Sequence, residues 1–309
     1  MEKRLSAVAS DFPDHLRQVK PTHLLKTYGF GFAGPLGDLR RRARRLLDLG
    51  PNALSIGLGP ARAPFPRVFA VVLAALVLVL EGEGLPEPLG LRGFFYGLLR
   101  EVAPEVHDQG ENPFALGFGG REGASWARVS LLVEELYARL APRLYALEGE
   151  EVRLGPPFRV RAVLQEGHPW AGVSTYPRLF QGPPSRDLAL RFASPTFFRR
   201  KGVHYPVPEP RLVLESLLRR LEAFGPLKAP EGVREALLER TTVRSLEGRT
   251  LPARTEVDTA GFVGRVVYHL PRATEEEALW LSALGRFAFY SGVGAKTSLG
   301  YGRARAESA

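Results

Sequence analysis

The sequence has no cysteine and a single methionine. Without thiols there is no disulfide framework and no thiolate-bound metal, so every cysteine-based zinc site is excluded, and the composition fits a reducing cytoplasm. Long apolar runs are missing too. The run at residues 68–80 falls well short of the roughly 20 residues a helical membrane span requires. It lies too far from Met1 to be a signal-peptide core unless translation begins near it, and no small-residue cleavage site follows. We read it as a buried strand and expect no membrane association. HExxH, clustered Asp/Glu and GxSxG patterns are also absent, which leaves a carboxylate or histidine metal centre and serine-hydrolase chemistry without support. No metal and no other cofactor is expected.

What is present is a basic chain with ample apolar content. At 309 residues, 45% of them hydrophobic, it exceeds the usual size of one domain and can build more than one core. The formal net charge of +9 invites a nucleic-acid partner, because Lys and Arg displace condensed counterions from phosphates. The charge is unevenly spread: residues 1–67 hold 12 Lys/Arg against 5 Asp/Glu, leaving 30 against 28 for the remainder. Bulk charge therefore says little about the folded part. The arginine and proline content, with one Met and no Cys, suggests a hot habitat.

Residues 1–67 show weak periodicity, the glycines Gly29, Gly31, Gly34 and Gly37, and the basic run Arg40, Arg41, Arg42, Arg44, Arg45. Two readings stay open for this segment: a flexible extension, including a reading frame opened too early, or a basic RNA-contacting arm. From residue 68 the pattern sharpens. A strand at 68–80 is followed by a helix at 89–102 whose apolar face carries Leu91, Phe94, Phe95, Leu98, Leu99 and Val102. Its opposite face aligns Arg92, Tyr96 and Arg100 at i, i+4 and i+8. Strands at 113–118 and 126–131, a helix at 133–145 that Pro142 should break or kink, and strands at 151–154 and 158–165 complete a ferredoxin-like order. The second half repeats the theme: a strand at 188–193, a helix at 211–223, strands at 240–245 and 261–270, a helix at 274–290 opening on Glu275, Glu276 and Glu277, and a strand at 301–306. We expect an α+β protein of tandem ferredoxin-like (RRM-like) domains, 68–180 and 181–309, behind a basic extension at 1–67. No short-period repeat is found.

Between the last helix and last strand lies Gly292-Val293-Gly294-Ala295-Lys296-Thr297-Ser298-Leu299-Gly300-Tyr301-Gly302. Glycines let backbone N–H groups approach phosphates or base edges, and Lys296 adds charge. A nucleotide P-loop fails on spacing and direction, since Lys296-Thr297 follows Ala295 and the loop runs from helix to strand. A tight helix-to-strand connection would use the same glycines for geometry alone. The GxGxxxxxGxG pattern after a C-terminal helix resembles the signature of the CRISPR precursor-RNA-processing endoribonucleases of the RAMP superfamily. Residues 190–202, LRFASPTFFRRKG, followed by Pro206 and Pro208 and then a helix, resemble that family's central strand and turn. The likeness covers about residues 68–309 and leaves the first 67 unmatched.

The resemblance implies metal-independent RNA cleavage, in which the neighbouring 2′-OH attacks the phosphodiester and leaves a 2′,3′-cyclic phosphate and a 5′-OH. Histidine suits the proton transfers. His107 follows the first helix, where the family carries its catalytic histidine; it would also serve as a surface histidine capping a turn with Asp108. Tyr96 would position the 2′-OH or share a proton, or be a half-buried surface aromatic. Arg92 and Arg100 would hold phosphate or solvate a helix face. Lys296 is assigned to steadying the phosphate, and Gly292, Gly294, Thr297, Ser298, Gly300 and Gly302 to RNA binding. His204 sits beside Arg199, Arg200 and Lys201, with Phe197, Phe198 and Tyr205 interleaved, a composition suited to single-stranded RNA unless the phenylalanines are core. His168 and His269 read as structural, and His15 and His23 fall in the unmatched arm. The implied partner is the CRISPR repeat of a precursor transcript, with CRISPR effector proteins or a second copy of the chain as further partners. The rival reading is a non-catalytic RAMP-type subunit that only grips guide RNA in an effector complex.

Overall fold

The computed structural model describes residues 72–106, 111–121, 123–255 and 258–308; His107 and the whole of residues 1–67 lie outside them. Strand β1 (Val72–Glu81) is buried along nearly its whole length. A continuous VLAALVLVL run has no polar face to offer water, so it is stable only with both faces covered, at the centre of a sheet. It pairs antiparallel with β3 (Ala124–Leu131) on one side. On the other side its second half pairs with β5 (Pro157–Leu164) and its first half with β6 (Gly172–Thr175). With β2 (Phe114–Arg121) and β4 (Glu151–Arg153) the order is β2-β3-β1-β5-β4.

Helices α1 (Pro88–Val102) and α2 (Glu134–Tyr145) pack on one face of this sheet. Phe95, Leu98 and Leu99 from α1 and Leu136, Leu140 and Leu144 from α2 meet Leu76, Leu78, Leu116, Ala127 and Val129. Of the two outcomes expected of Pro142, a break does not occur: α2 runs through it. Pro142 stands in the last turn, where its missing N–H forfeits a single helical bond, and its own carbonyl still accepts from Ala146 N.

After a short helix α3 (Tyr176–Leu179), a four-stranded antiparallel sheet forms in the order β10-β11-β7-β12. Its strands are β7 (Asp187–Thr196), β10 (Thr242–Arg254), β11 (Asp258–His269) and β12 (Ala304–Glu307). Helices α4 (Pro210–Phe224), α5 (Glu231–Arg240) and α6 (Glu275–Ser291) line one face. The resulting core joins Leu190, Phe192, Leu217, Leu221, Val266, Leu284 and Phe287, and it reaches Leu73, Ala75 and Leu132 at the start of the first sheet. Helix α6 opens on a capping box: Thr274 Oγ1 accepts from Glu277 N at 3.2 Å and the Glu277 carboxylate accepts from Thr274 N at 2.9 Å. A small hairpin, β8 (Phe198–Arg200) with β9 (Val203–Tyr205), leaves the end of β7.

The sequence reading missed β6, α3 and α5, assigned no strands to the small hairpin, and ended β10 near its middle. Helix α5 is preceded by Pro226 and Pro230 and has a weak apolar stripe, with only Val233, Ala236 and Leu237 buried. Residues 246–250 of β10 are all exposed and include Glu247, Arg249 and Thr250, so the alternation ends before the strand does. Among the described residues no helix is long and apolar enough to cross a membrane.

Candidate nucleic-acid interface

The glycine-rich segment leaves α6 at Gly292, whose N–H still bonds to Ala288 O. It then folds back on itself, Val293 N donating to Gly302 O at 2.8 Å and Gly302 N to Pro195 O at 3.0 Å. Ala295 N donates to Phe197 O and Gly294 N to Ser216 Oγ, each at about 2.9 Å. Two glycines show why the pattern is needed. A Cβ on Gly302 (φ 69°) would lie 2.0 Å from Val293 O, and one on Gly294 (φ 83°) 2.4 Å from Phe197 O. Both demands come from the protein's own backbone. Gly292, Thr297, Gly300 and Gly302 are buried, whereas Gly294, Lys296 and Ser298 are half-buried and turn toward the surface. Lys296 takes a left-handed conformation (φ 57°) as it enters a 3-10 turn, Thr297–Leu299.

That turn rests against both α1 and β2. Helix α1 brings Arg92 and Tyr96, whose i, i+4 spacing puts the guanidinium 5.0 Å from the ring centroid. The Tyr96 hydroxyl donates to Asn112 Oδ1 at 3.3 Å and its ring meets Phe114 edge-on. Arg100 is exposed in the last turn of α1. Asn112 and Phe114 belong to the stretch that resumes four residues after His107. Helix α4 closes the arrangement. Arg219 pairs with Glu111 at 2.6 Å, and Arg220 donates to Asn112 O, Phe114 O and Thr297 Oγ1.

The basic hairpin is anchored to the same loop through Phe197, and Lys201 (φ 49°) and Gly202 form its turn. Arg199 and His204 face each other across it. Phe197 and Phe198 are buried, so of the two readings the core one holds and neither ring can stack on a base. The Phe197 ring instead meets His204 at 4.7 Å and Tyr301 at 5.5 Å. Arg200 pairs with Glu209 at 3.0 Å, and Tyr205 donates to the same carboxylate. His269 lies 2.8 Å from Asp187, and His168 accepts from Trp170 N while packing on Trp126.

Three buried arginines escaped the sequence reading. Arg128, Arg220 and Arg303 are 2%, 6% and 9% exposed, and no carboxylate pairs with them among the described residues. Arg128 donates to Trp170 O and Phe289 O; Arg303 donates to Phe118 O and Ala193 O and lies over the rings of Trp126 and Trp170. Each joins a strand or helix of one sheet to the other. Burial depresses all three, Arg128 to about 9 and the others to about 10, and Arg303 adds repulsion at Arg128. A signal was present for Arg220, which falls on the apolar stripe of its helix with Val213, Leu217 and Leu221. Among the described residues no three His, Asp or Glu side chains converge as metal ligands.

The model for the CRISPR-associated endoribonuclease Cas6 matches residues 190–304. A solved Cas6 product complex is 99% identical over 77% of this chain and all of that one, with a TM-score of 0.76. A histidine-to-alanine mutant of that same Cas6 protein is 96% identical over 77% of this chain, with a TM-score of 0.74. A Cas6 of Thermus thermophilus is 30% identical, covers 77% of this chain and 99% of its own, and has a TM-score of 0.64. A match of another kind is the CRISPR-associated endonuclease Cas2 2 of Thermus thermophilus, 53% identical over 66 residues, which span 18% of this chain and 73% of that protein.

Proposed function

The chain belongs to the Cas6 family of CRISPR-associated endoribonucleases, and from that membership we propose that it cuts the repeats of CRISPR precursor RNA without a metal ion, by 2′-OH attack. The 2′-oxygen forms a bond to the adjacent phosphorus, the 5′-oxygen leaves, and a 2′,3′-cyclic phosphate and 5′-OH result. One proton must leave the nucleophile, one must reach the leaving oxygen, and the phosphorane between them carries two negative charges. His107 acts as general acid or base, Tyr96 positions the 2′-OH, and Lys296 steadies the phosphorane. Arg92, Arg100, Arg199, Arg200, Lys201, His204 and the outward residues of the glycine loop, Gly294 and Ser298, hold the RNA. The buried residues Gly292, Thr297, Gly300 and Gly302 shape that loop. An enzyme of transcripts works in the cytoplasm, and effector proteins or a second copy of the chain are its expected protein partners.

The observation that carries this reading is the meeting of α1, β2 and the Lys296 turn at one place, beside the chain that follows His107. Support for a histidine comes from the near-identical Cas6 solved as a histidine-to-alanine mutant. For the fold, the strand orders β2-β3-β1-β5 and β10-β11-β7-β12 each follow the second-third-first-fourth arrangement of a βαββαβ unit, which supports tandem ferredoxin-like halves at 68–180 and 181–309. His107→Ala should slow cleavage of labelled repeat RNA by about two orders of magnitude or more while binding persists. An unchanged rate moves the role to His204 or His269; tight binding with no cutting by the wild type at any pH favours the non-catalytic subunit.

A further inference from the structure

We propose that Arg220 is a positioning residue for the cleavage reaction, a buried clamp that fixes the glycine-rich loop relative to the segment following His107. The proposal rests on the endoribonuclease reading above. One face of α4 presents Ser216, Arg219 and Arg220 at i, i+3 and i+4, which is one ridge of a helix. Ser216 Oγ accepts from Gly294 N at 2.9 Å. Arg219 pairs with Glu111 at 2.6 Å. Between them Arg220 donates through Nη1 to Thr297 Oγ1 at 2.7 Å and through Nη2 to Phe114 O and Asn112 O at 3.0 and 3.2 Å.

Of these three side chains, Ser216 bonds the glycine loop, Arg219 bonds Glu111, and Arg220 bonds both the loop and the segment 112–114. The geometry uses what distinguishes arginine from lysine: a rigid planar fork that serves three acceptors, on two different segments, in fixed directions. An ammonium on a flexible stem can reach one side or the other. The position is costly, since a buried cation with no bonded carboxylate loses hydration that carbonyl oxygens replace only in part. A leucine at residue 220 would continue the apolar stripe of α4 at lower cost, so the arginine is explained by what it connects. On one side of the clamp stands Lys296, adjacent to Thr297; on the other stands Asn112, which also accepts from Tyr96. Loss of the clamp lets the phosphate-facing lysine drift from the groups that move protons.

The test measures the single-turnover cleavage rate at saturating protein and, separately, the Kd for repeat RNA made uncleavable by a 2′-deoxy nucleotide. The wild type is compared with Arg220→Met, Arg220→Lys and the milder Thr297→Val, all well below their melting temperatures. Misplacement by about an ångström costs on the order of 100-fold in rate, so that is the loss expected for Arg220→Met, with Kd changed less than about threefold. Arg220→Lys should recover only a small part of the rate. Thr297→Val should fall between, and the double variant R220M/T297V should be no slower than R220M, because both remove one linkage. A folded Arg220→Met protein that cuts at the wild-type rate overturns the proposal. If that variant does not fold, Thr297→Val at full rate overturns it; so does a loss that resides entirely in Kd. Wild-type protein that binds the RNA and leaves it uncut overturns the underlying reading and this proposal with it, whereas wild-type cutting with an indifferent Arg220 leaves that reading standing.

Discussion

Burial and the nearby charges of Arg128 and Arg303 together set the proton affinity of His168. His168 packs on Trp126; partial burial, followed by repulsion from Arg128 and Arg303, pushes its pKa below 6.5. The folded protein thus resists a proton that the unfolded chain accepts, and stability is lost as the pH falls below the unfolded value of about 6.5. His168→Asn keeps a polar atom near Trp170 N and has no proton to gain. Between pH 7 and pH 5 the melting temperature of the wild type should drop further than that of the variant; parallel curves would contradict the assignment. Asp187 behaves oppositely. Burial raises it, but hydrogen bonds with His269 and Arg244 prevail and hold it below the ordinary carboxylate range. Its contribution is present above about pH 4 and is lost as the pH falls through the depressed value.

At the scale of elements the glycine loop is the sharpest case. Gly302→Ala would force a Cβ to within 2.0 Å of Val293 O at a positive φ. A destabilisation of about 2 kcal/mol or more is expected in urea unfolding. Lys296 occupies a left-handed position that glycine tolerates better. Lys296→Gly should therefore keep the backbone shape of the loop and cut more slowly, separating charge from shape. Removing the capping box with Thr274→Ala should cost about 1 kcal/mol. The elements with strong periodicity, β1, α1, α4 and α6, could be read directly from residue order, because burial on one or both faces writes the pattern. The loop could be found for a related reason: four positions with positive φ require glycine at fixed spacing. The buried arginines could not be read as linkers, since their partners are backbone carbonyls and a hydroxyl more than 75 residues away in the case of Arg220 and Thr297. Phe197 and Phe198 looked equally suited to stacking on RNA or to a core, and only their burial in the folded protein decides it.

At the scale of the whole molecule the charge is unevenly divided along the sequence. Residues 1–67 carry 12 basic against 5 acidic groups, while the rest is close to balance. A Cas6 of 99% identity is spanned completely by 77% of this chain. A fragment lacking residues 1–67 should therefore fold and cut repeat RNA at the full-length rate; a large loss of affinity would instead assign the basic segment to RNA binding. The central claim, that this molecule cleaves repeat RNA by internal 2′-OH attack, is tested most directly by incubating the full chain with end-labelled repeat RNA in excess EDTA. The account predicts a single cut bearing a 2′,3′-cyclic phosphate, abolished by one 2′-deoxy substitution at the cleavage position. Cutting that needs added metal, or that survives the 2′-deoxy substitution, would contradict it.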